Sequence, residues 1–244
     1  MNTASRTAVV TGGSRGIGRA VASRLAAAGQ DVAVVYASNT KEAEAAVGEV
    51  EAAGARGIAL RADVADEVSI AAAFDEVEQR LGPIDVVVNA AGVMALRPTT
   101  ELELAELDQL LRTNVRGTFV VVREAARRVR AGGAIVAFST TVTRTHLPSY
   151  GAYAATKGAV EAMVPILAKE LAGRDVTVNA VAPGPTATEL FFEGKTQEVI
   201  DRIAGMSPMK RLGTPQDIAE AVSFLAGPGR WVNGQVVFVN GGIA

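Results

Sequence analysis

Residues 11–18 read TGGSRGIG. They follow a short apolar run, TAVVT (7–11), and lead into an alanine-rich segment of helical spacing, 16–28. A strand that ends in a glycine turn and feeds a helix is the opening βα unit of a dinucleotide-binding sheet. Gly12, Gly16 and Gly18 let the backbone turn sharply and approach a pyrophosphate, and the helix N-terminus favours negative charge there. Ser14, Arg15 and Ile17 share the turn and complete its set of cofactor contacts. The spacing is Gly-x3-Gly-x-Gly, not the commoner Gly-x-Gly-x-x-Gly. A glycine connection with no ligand is the rival reading, and the position after the first strand argues against it.

The rest of the chain repeats the same alternation. Strand-like runs lie at 31–36, 57–60, 84–89, 134–139, 176–182 and 235–240, β-branched and nearly all apolar, as strands buried on both faces must be. Helical spacing covers 40–53, 66–81, 101–130, 150–172 and 214–226. This predicts one α/β domain over 1–244: a Rossmann-like, doubly wound parallel sheet of about seven strands with helices on both faces. The stretch 183–213 follows a strand and so belongs over the sheet's C-terminal edge. Its ELFFEGK and AGMSPM pieces read as an apolar substrate lid.

With 244 residues the chain suits one large domain better than two. Its net charge of −2 and lack of a basic block argue against nucleic acid. No apolar run approaches the roughly 18 residues of a membrane span. The start, MNTASRTAVVTGG, lacks the charged and apolar regions of a secretory leader. The absence of cysteine excludes disulfide and thiolate chemistry and suits the reducing cytoplasm. A single histidine, His146, and no cysteine argue against a transition-metal site.

An NAD site usually carries an acid about 20 residues past the glycine turn, bonding the ribose 2′-hydroxyl. Here the second strand ends in Tyr36, Ala37, Ser38 and Asn39, and Asp31 lies at its opposite end. Arg15 offers a cation, and Ser38 and Asn39 offer hydrogen bonds. A 2′-phosphate fits that set better than a bare diol, so the residues favour NADP(H). A solvated loop arginine is the plainer reading of Arg15.

The stretch STTVTRTHLPSYGAYAATKG (139–158) holds Tyr153 and Lys157, four apart and so on one helix face. A neighbouring ammonium favours phenolate and lowers a phenol's pKa, which makes this pair an acid/base device. With three tyrosines and five lysines in the chain, the pair alone is a weak signal. Tyr36 and Tyr150 lack a lysine at that spacing.

Taken in order, TGGSRGIG (11–18), Asp63-Val64, NAAG (89–92), NVRGTF (114–119), Ser139, YAATK (153–157) and PGPTAT (183–188) resemble the short-chain dehydrogenase/reductase family over essentially the whole chain. Within it the chain is most similar to members that reduce 3-oxoacyl carrier proteins or hydroxynaphthalenes. The resemblance implies that Tyr153 gives a proton to a carbonyl oxygen as the nicotinamide delivers hydride. It implies that Lys157 tunes the tyrosine and bonds the nicotinamide ribose, and that Asn114 helps hold a proton-relaying water. A serine 13 or 14 residues before the tyrosine bonds the substrate oxygen. Ser139 stands at 14 and is preferred because it ends a strand; Thr140, at 13, is the reserve. Asp63 and Val64 would flank the adenine. Asn89, Ala90, Ala91 and Gly92 would line the cofactor, with Ala90 replacing the family's usual second asparagine. Pro183, Gly184, Thr186 and Thr188 would cradle the carboxamide and phosphate. A homotetramer is implied as well, with contacts from 101–130, 150–172 and GQVVFVNGG.

Plainer roles stand beside these. Asp63 can cap the helix after the third strand. His146 reads as a loop residue, and Tyr150 and Leu147 as pocket or core. Arg127, Arg128, Arg130 and Arg174 fit an acidic carrier protein or, more simply, a solvated helix end. The leading expectation is an NADP(H)-dependent carbonyl reductase or secondary-alcohol dehydrogenase acting on a small molecule, with no nucleic-acid or membrane partner. An NAD-dependent sugar or steroid alcohol dehydrogenase and a non-catalytic NADP-binding regulator are the alternatives.

Overall fold

All seven apolar runs form strands of one parallel sheet. They are β1 (Arg6–Thr11), β2 (Gln30–Tyr36), β3 (Gly57–Arg61), β4 (Ile84–Asn89), β5 (Ala134–Phe138), β6 (Thr177–Pro183) and β7 (Val236–Val239). The order is β3-β2-β1-β4-β5-β6-β7. The computed structural model describes residues 5–244; residues 1–4, which begin the segment read above for a leader, lie outside it.

Alternate strand residues face opposite layers. Val10, Val88 and Val136 pack with Val21 and Leu25 of α1 (Gly16–Ala27), Val50 of α2 (Thr40–Ala52) and Leu225 of the helix Pro215–Ala226. Val9, Val87 and Ile135 meet Phe74 of α3 (Glu67–Arg80), Val121 and Val160 on the other face. Apolar burial on both sides explains why the strands carry no polar alternation. The direction of chain winding reverses between β1 and β4. Ligand crevices form at such a reversal, beyond the strands' C-terminal ends.

The stretch 101–130 is not one helix. It divides into α4 (Leu104–Leu110), a π-helical turn (Leu111–Gly117) and α5 (Thr118–Arg128). Gly117 lets that turn come close to Val64, since a β-carbon there would stand 2.7 Å from Val64 Cγ2. The chain continues through α6 (Val142–Thr145), α7 (Gly151–Glu170), α8 (Glu189–Phe192), α9 (Gln197–Met206) and α10 (Pro215–Ala226).

Two polar readings change. Asp31 lies inside β2, buried at its N-terminal end and paired with Arg56 at 2.7 Å, so its role is structural. The cap of α3 is Asp66, whose carboxylate accepts from the Val68 and Ser69 amides. Asp63 instead accepts from the Ala65 amide and pairs with Arg112 at 2.8 Å. That bond to Arg112, foremost, holds the Asp63 carboxyl below its usual range.

The arginines considered for a carrier protein are engaged within the chain. Arg127 and Arg128 bind Glu124, and Arg128 also binds Asp75 and Glu78. Arg130 binds Asp85, and Arg174 donates to the Ala126 and Val129 carbonyls.

Candidate active site

The first βα turn is built for close approach. Gly12 has φ +65°, in the left-handed region that glycine tolerates, and a β-carbon on it would stand 2.8 Å from Ala91. A β-carbon on Gly18 would meet the Gly12 carbonyl oxygen at 2.1 Å. No larger residue fits either place, so the helix start and the 89–92 segment bracket a narrow backbone cradle. Thr11 and Asn89 lock that bracket: Thr11 Oγ1 donates to Asn89 Oδ1 at 2.6 Å, and Asn89 Nδ2 donates to Thr118 at 2.9 Å.

Arg15 is exposed and enters no ion pair among the described residues, whereas Arg19 is held by Glu42 and Glu49. Arg15, Gly16 and Thr188 line an open cavity of about 590 Å³. At the end of β2, Asn39 caps α2 through its side-chain oxygen, and the Tyr36 hydroxyl donates to Thr40. Ser38 and Asn39 are exposed. The cradle and the unpaired cation suit a pyrophosphate and a 2′-phosphate.

Thr188 also lines a second cavity, of about 220 Å³, with Ile17, Ala90, Gly92, Ser139, Thr140, Tyr153, Lys157, Pro183, Gly184 and Thr186. Eleven residues singled out in the sequence therefore meet at one opening. Tyr150 and Leu147 line it too, while His146, left-handed at the end of α6, does not. Val93, Met94, Leu190, Phe191, Ile203 and Met206 add to its apolar wall. The last four come from α8 and α9, within the segment read as a lid. Their separation in sequence hides their common wall.

Lys157 is 5% exposed and donates to the Phe138 carbonyl at 2.9 Å. Burial lowers its pKa to about 8. Tyr153 keeps part of its surface open to the cavity but is closely surrounded. Burial pushes its phenol up to about 12, and the nearby Thr140 hydroxyl partly opposes that rise. The expected lowering of the phenol by Lys157 is not what this arrangement produces. Desolvation outweighs the ammonium, whose Nζ is turned to the Phe138 carbonyl and lies 5.8 Å from the Tyr153 ring centre. A phenol raised in this way is protonated at neutral pH and able to donate.

Asn114 sits in the π-helical turn, fully buried. Its Oδ1 accepts from the Val93 amide at 2.9 Å; its Nδ2 donates to the Val93 carbonyl and to Thr156 Oγ1. Thr156 Oγ1 in turn donates to the Tyr153 carbonyl. Asn114 thus ties the segment beside the cofactor cradle to the helix of Tyr153 and Lys157.

Ser139 and Thr140 follow β5 at the sheet edge, both buried. The Ser139 hydroxyl donates to Glu161 Oε1 at 2.7 Å. Glu161 lies one turn beyond Lys157 on α7. Sequence reading missed it, although the spacing Tyr153, Lys157, Glu161 places all three on one helix face.

A nucleotide cradle joined to an apolar cavity with one buried phenol and one buried ammonium defines a nicotinamide-dependent oxidoreductase fold and site. A family model described as "Enoyl-(Acyl carrier protein) reductase" matches residues 12–244. The NADPH-dependent aldehyde reductase-like protein of Arabidopsis thaliana is 42% identical, over 98% of this chain and 94% of its own length. A short-chain type dehydrogenase/reductase of Picea abies is 43% identical, over 97% and 92%. The crystal structure of a Burkholderia cenocepacia short chain dehydrogenase in complex with NADP superposes with a TM-score of 0.92 at 38% identity, covering 99% of each chain. The chain belongs to the short-chain dehydrogenase/reductase family.

Proposed function

We propose that this protein reduces a neutral, largely apolar carbonyl compound to its alcohol, or runs the reverse oxidation, with Tyr153 as the proton donor. The cofactor is NADP(H), which supplies the hydride when bound. Arg15, Ser38 and Asn39 hold its 2′-phosphate, and the Gly12–Gly18 turn its pyrophosphate. Lys157 orients the nicotinamide ribose and sets the charge beside Tyr153. Asn114 holds α7 against the 89–93 segment and helps hold a water that relays protons toward Lys157. Tyr153 places its O–H at the oxygen where negative charge develops.

One observation carries the substrate class: among the described residues, Lys157 is the only charged group lining the apolar cavity. A carboxylate or phosphate on the substrate would have no cationic partner other than the catalytic lysine. Aldehydes, quinones, diketones and 3-oxoacyl esters meet the requirement. Residues 183–213 serve as the lid. A homotetramer is supported by Leu111, Phe119 and Ile166, which are exposed on the helices assigned to its contacts. A cytoplasmic location accords with the lack of cysteine.

Purified protein with NADPH and a panel of aldehydes, quinones, diketones, β-ketoesters and one enoyl thioester tests the reading through loss of NADPH absorbance. Turnover of at least one carbonyl class is expected, and turnover of the enoyl thioester alone would overturn it. Arg15→Ala is expected to weaken NADPH about 30-fold and NADH less than about threefold. That corresponds to roughly 2 kcal/mol for one charge-assisted contact. Michaelis constants for both cofactors decide it.

A further inference from the structure

A second donor beside Tyr153 would stabilise the charge that develops on the substrate oxygen, and two hydroxyls compete for that place. Ser139 and Thr140 both line the cavity and both are buried. A hydroxyl has a single proton to give. The Ser139 proton is directed at Glu161 Oε1, 2.7 Å away. A carboxylate has only acceptors, so the direction of this bond is not reversible while Glu161 is ionised. The Thr143 hydroxyl, whose one proton lies between two acceptors, stands 2.7 Å from the same Oε1 and 2.9 Å from the Thr140 carbonyl, and Oε2 pairs with Arg144 at 3.2 Å. Arg144 is braced over the Phe238 ring, 5.1 Å from its centre. Glu161 is therefore fixed from three sides, with its side chain 13% exposed. What Ser139 turns toward the cavity is a lone pair.

Thr140 is arranged the other way. Its Oγ1 accepts from the Val142 amide at 3.3 Å, which leaves the hydroxyl proton free. Among the described residues no protein group accepts that proton, and Thr140 and Tyr153 line the same cavity. An oxygen atom held by Tyr153 thus finds a second donor in Thr140 and an acceptor in Ser139.

We propose that Glu161 is a positioning residue that captures the Ser139 proton, so that Thr140, not Ser139, donates with Tyr153 to the substrate oxygen. This rests on the carbonyl-reductase reading, and two readouts separate the failure of one from the failure of the other. The first is turnover of a carbonyl that the wild type reduces. The second is binding of methyl phenyl sulfoxide to the NADPH complex, followed by cofactor fluorescence. A sulfoxide oxygen accepts hydrogen bonds, and no hydride transfer is needed to see it bind.

Thr140→Val is expected to lower kcat about 100-fold with KM within about threefold, the size of effect seen when one donor to a developing oxyanion is lost. It is expected to weaken the sulfoxide about 10-fold. Ser139→Ala is expected to lose about fivefold in kcat and under about twofold in sulfoxide affinity. The decisive variant is the pair Thr140→Val with Glu161→Leu. Removing the carboxylate frees the Ser139 proton, so the double variant is expected to recover about fivefold or more over Thr140→Val alone. Glu161→Gln, which keeps an acceptor for Ser139, is expected to give no such rescue. NADPH affinity within about twofold of wild type shows that each variant is folded. A larger loss for Ser139→Ala than for Thr140→Val, or a double variant no better than Thr140→Val, overturns the proposal. If no carbonyl is reduced but the sulfoxide follows the expected order, the donor assignment stands and the reductase reading falls.

Discussion

Tyr153→Phe is expected to lower kcat for carbonyl reduction by about 1,000-fold or more while NADPH affinity stays within about twofold. General acid catalysis by a placed side chain contributes about 100- to 10,000-fold, and Tyr153 is the acid of this cavity. Phenylalanine keeps the ring and its edge contact with Tyr150, whose centre lies 6.5 Å away, so the cavity wall persists. Only the hydroxyl disappears. KM for the substrate should move little, because the lost interaction belongs chiefly to the transition state. Steady-state kinetics beside NADPH fluorescence titration checks both halves. Loss of less than about tenfold would remove Tyr153 as the proton donor, whereas a biological role left intact by Tyr153→Phe would favour the NADP-binding regulator. A lower Michaelis constant for NADH than for NADPH would favour the NAD-dependent alcohol dehydrogenase alternative.

The two cavities explain why such residues are widely separated in the chain. Every strand of the doubly wound sheet ends on the same side, so Gly12 after β1, Asn89 ending β4, Ser139 after β5 and Gly184 after β6 arrive together. This convergence was legible in the sequence, because each strand is a short apolar run closed by a turn or polar residue. Tyr153 and Lys157 were legible for a different reason: a single helical turn relates them. The π-helical turn at Leu111–Gly117 was not legible, since one extra residue in a helical turn leaves no distinct hydrophobic period. Glu161 was missed because a glutamate in the middle of an amphipathic helix normally faces water. Only the fold brings Ser139, Thr143 and Arg144 onto its carboxylate. The pKa of Tyr153 was misjudged on similar grounds. Spacing reports that an ammonium is near but not how much water the pair has lost.

Lys157→Met is expected to lower kcat about 1,000-fold and, at neutral pH, to raise the melting temperature by up to about 3–6 °C. Burial lowers the lysine from its ordinary 10.5 to about 8, so keeping it charged in the folded state costs about 3 kcal/mol. Methionine fills similar space without charge. It forfeits the charge-assisted bond to the Phe138 carbonyl, worth about 1.5–3 kcal/mol, which leaves a net gain of up to about 1.5 kcal/mol, or up to about 3–6 °C for a chain of this size. The sign with pH follows from proton counting. Between about 8 and 10.5 the unfolded lysine holds a proton that the folded one has released. Wild-type stability therefore rises with pH across that window through this group, and the charge penalty is fully present only below it. The advantage of Lys157→Met should be largest below pH 8 and shrink toward pH 10, as read by thermal melts at both ends. Wild-type reduction should also fall as pH rises through about 8, where the ammonium beside Tyr153 is lost. A variant that melts lower than wild type at pH 7, or whose advantage grows with pH, would show that Lys157 is held neutral or stabilised by its bond to Phe138. An active site that keeps a buried charge at the expense of stability is what a proton-handling role requires.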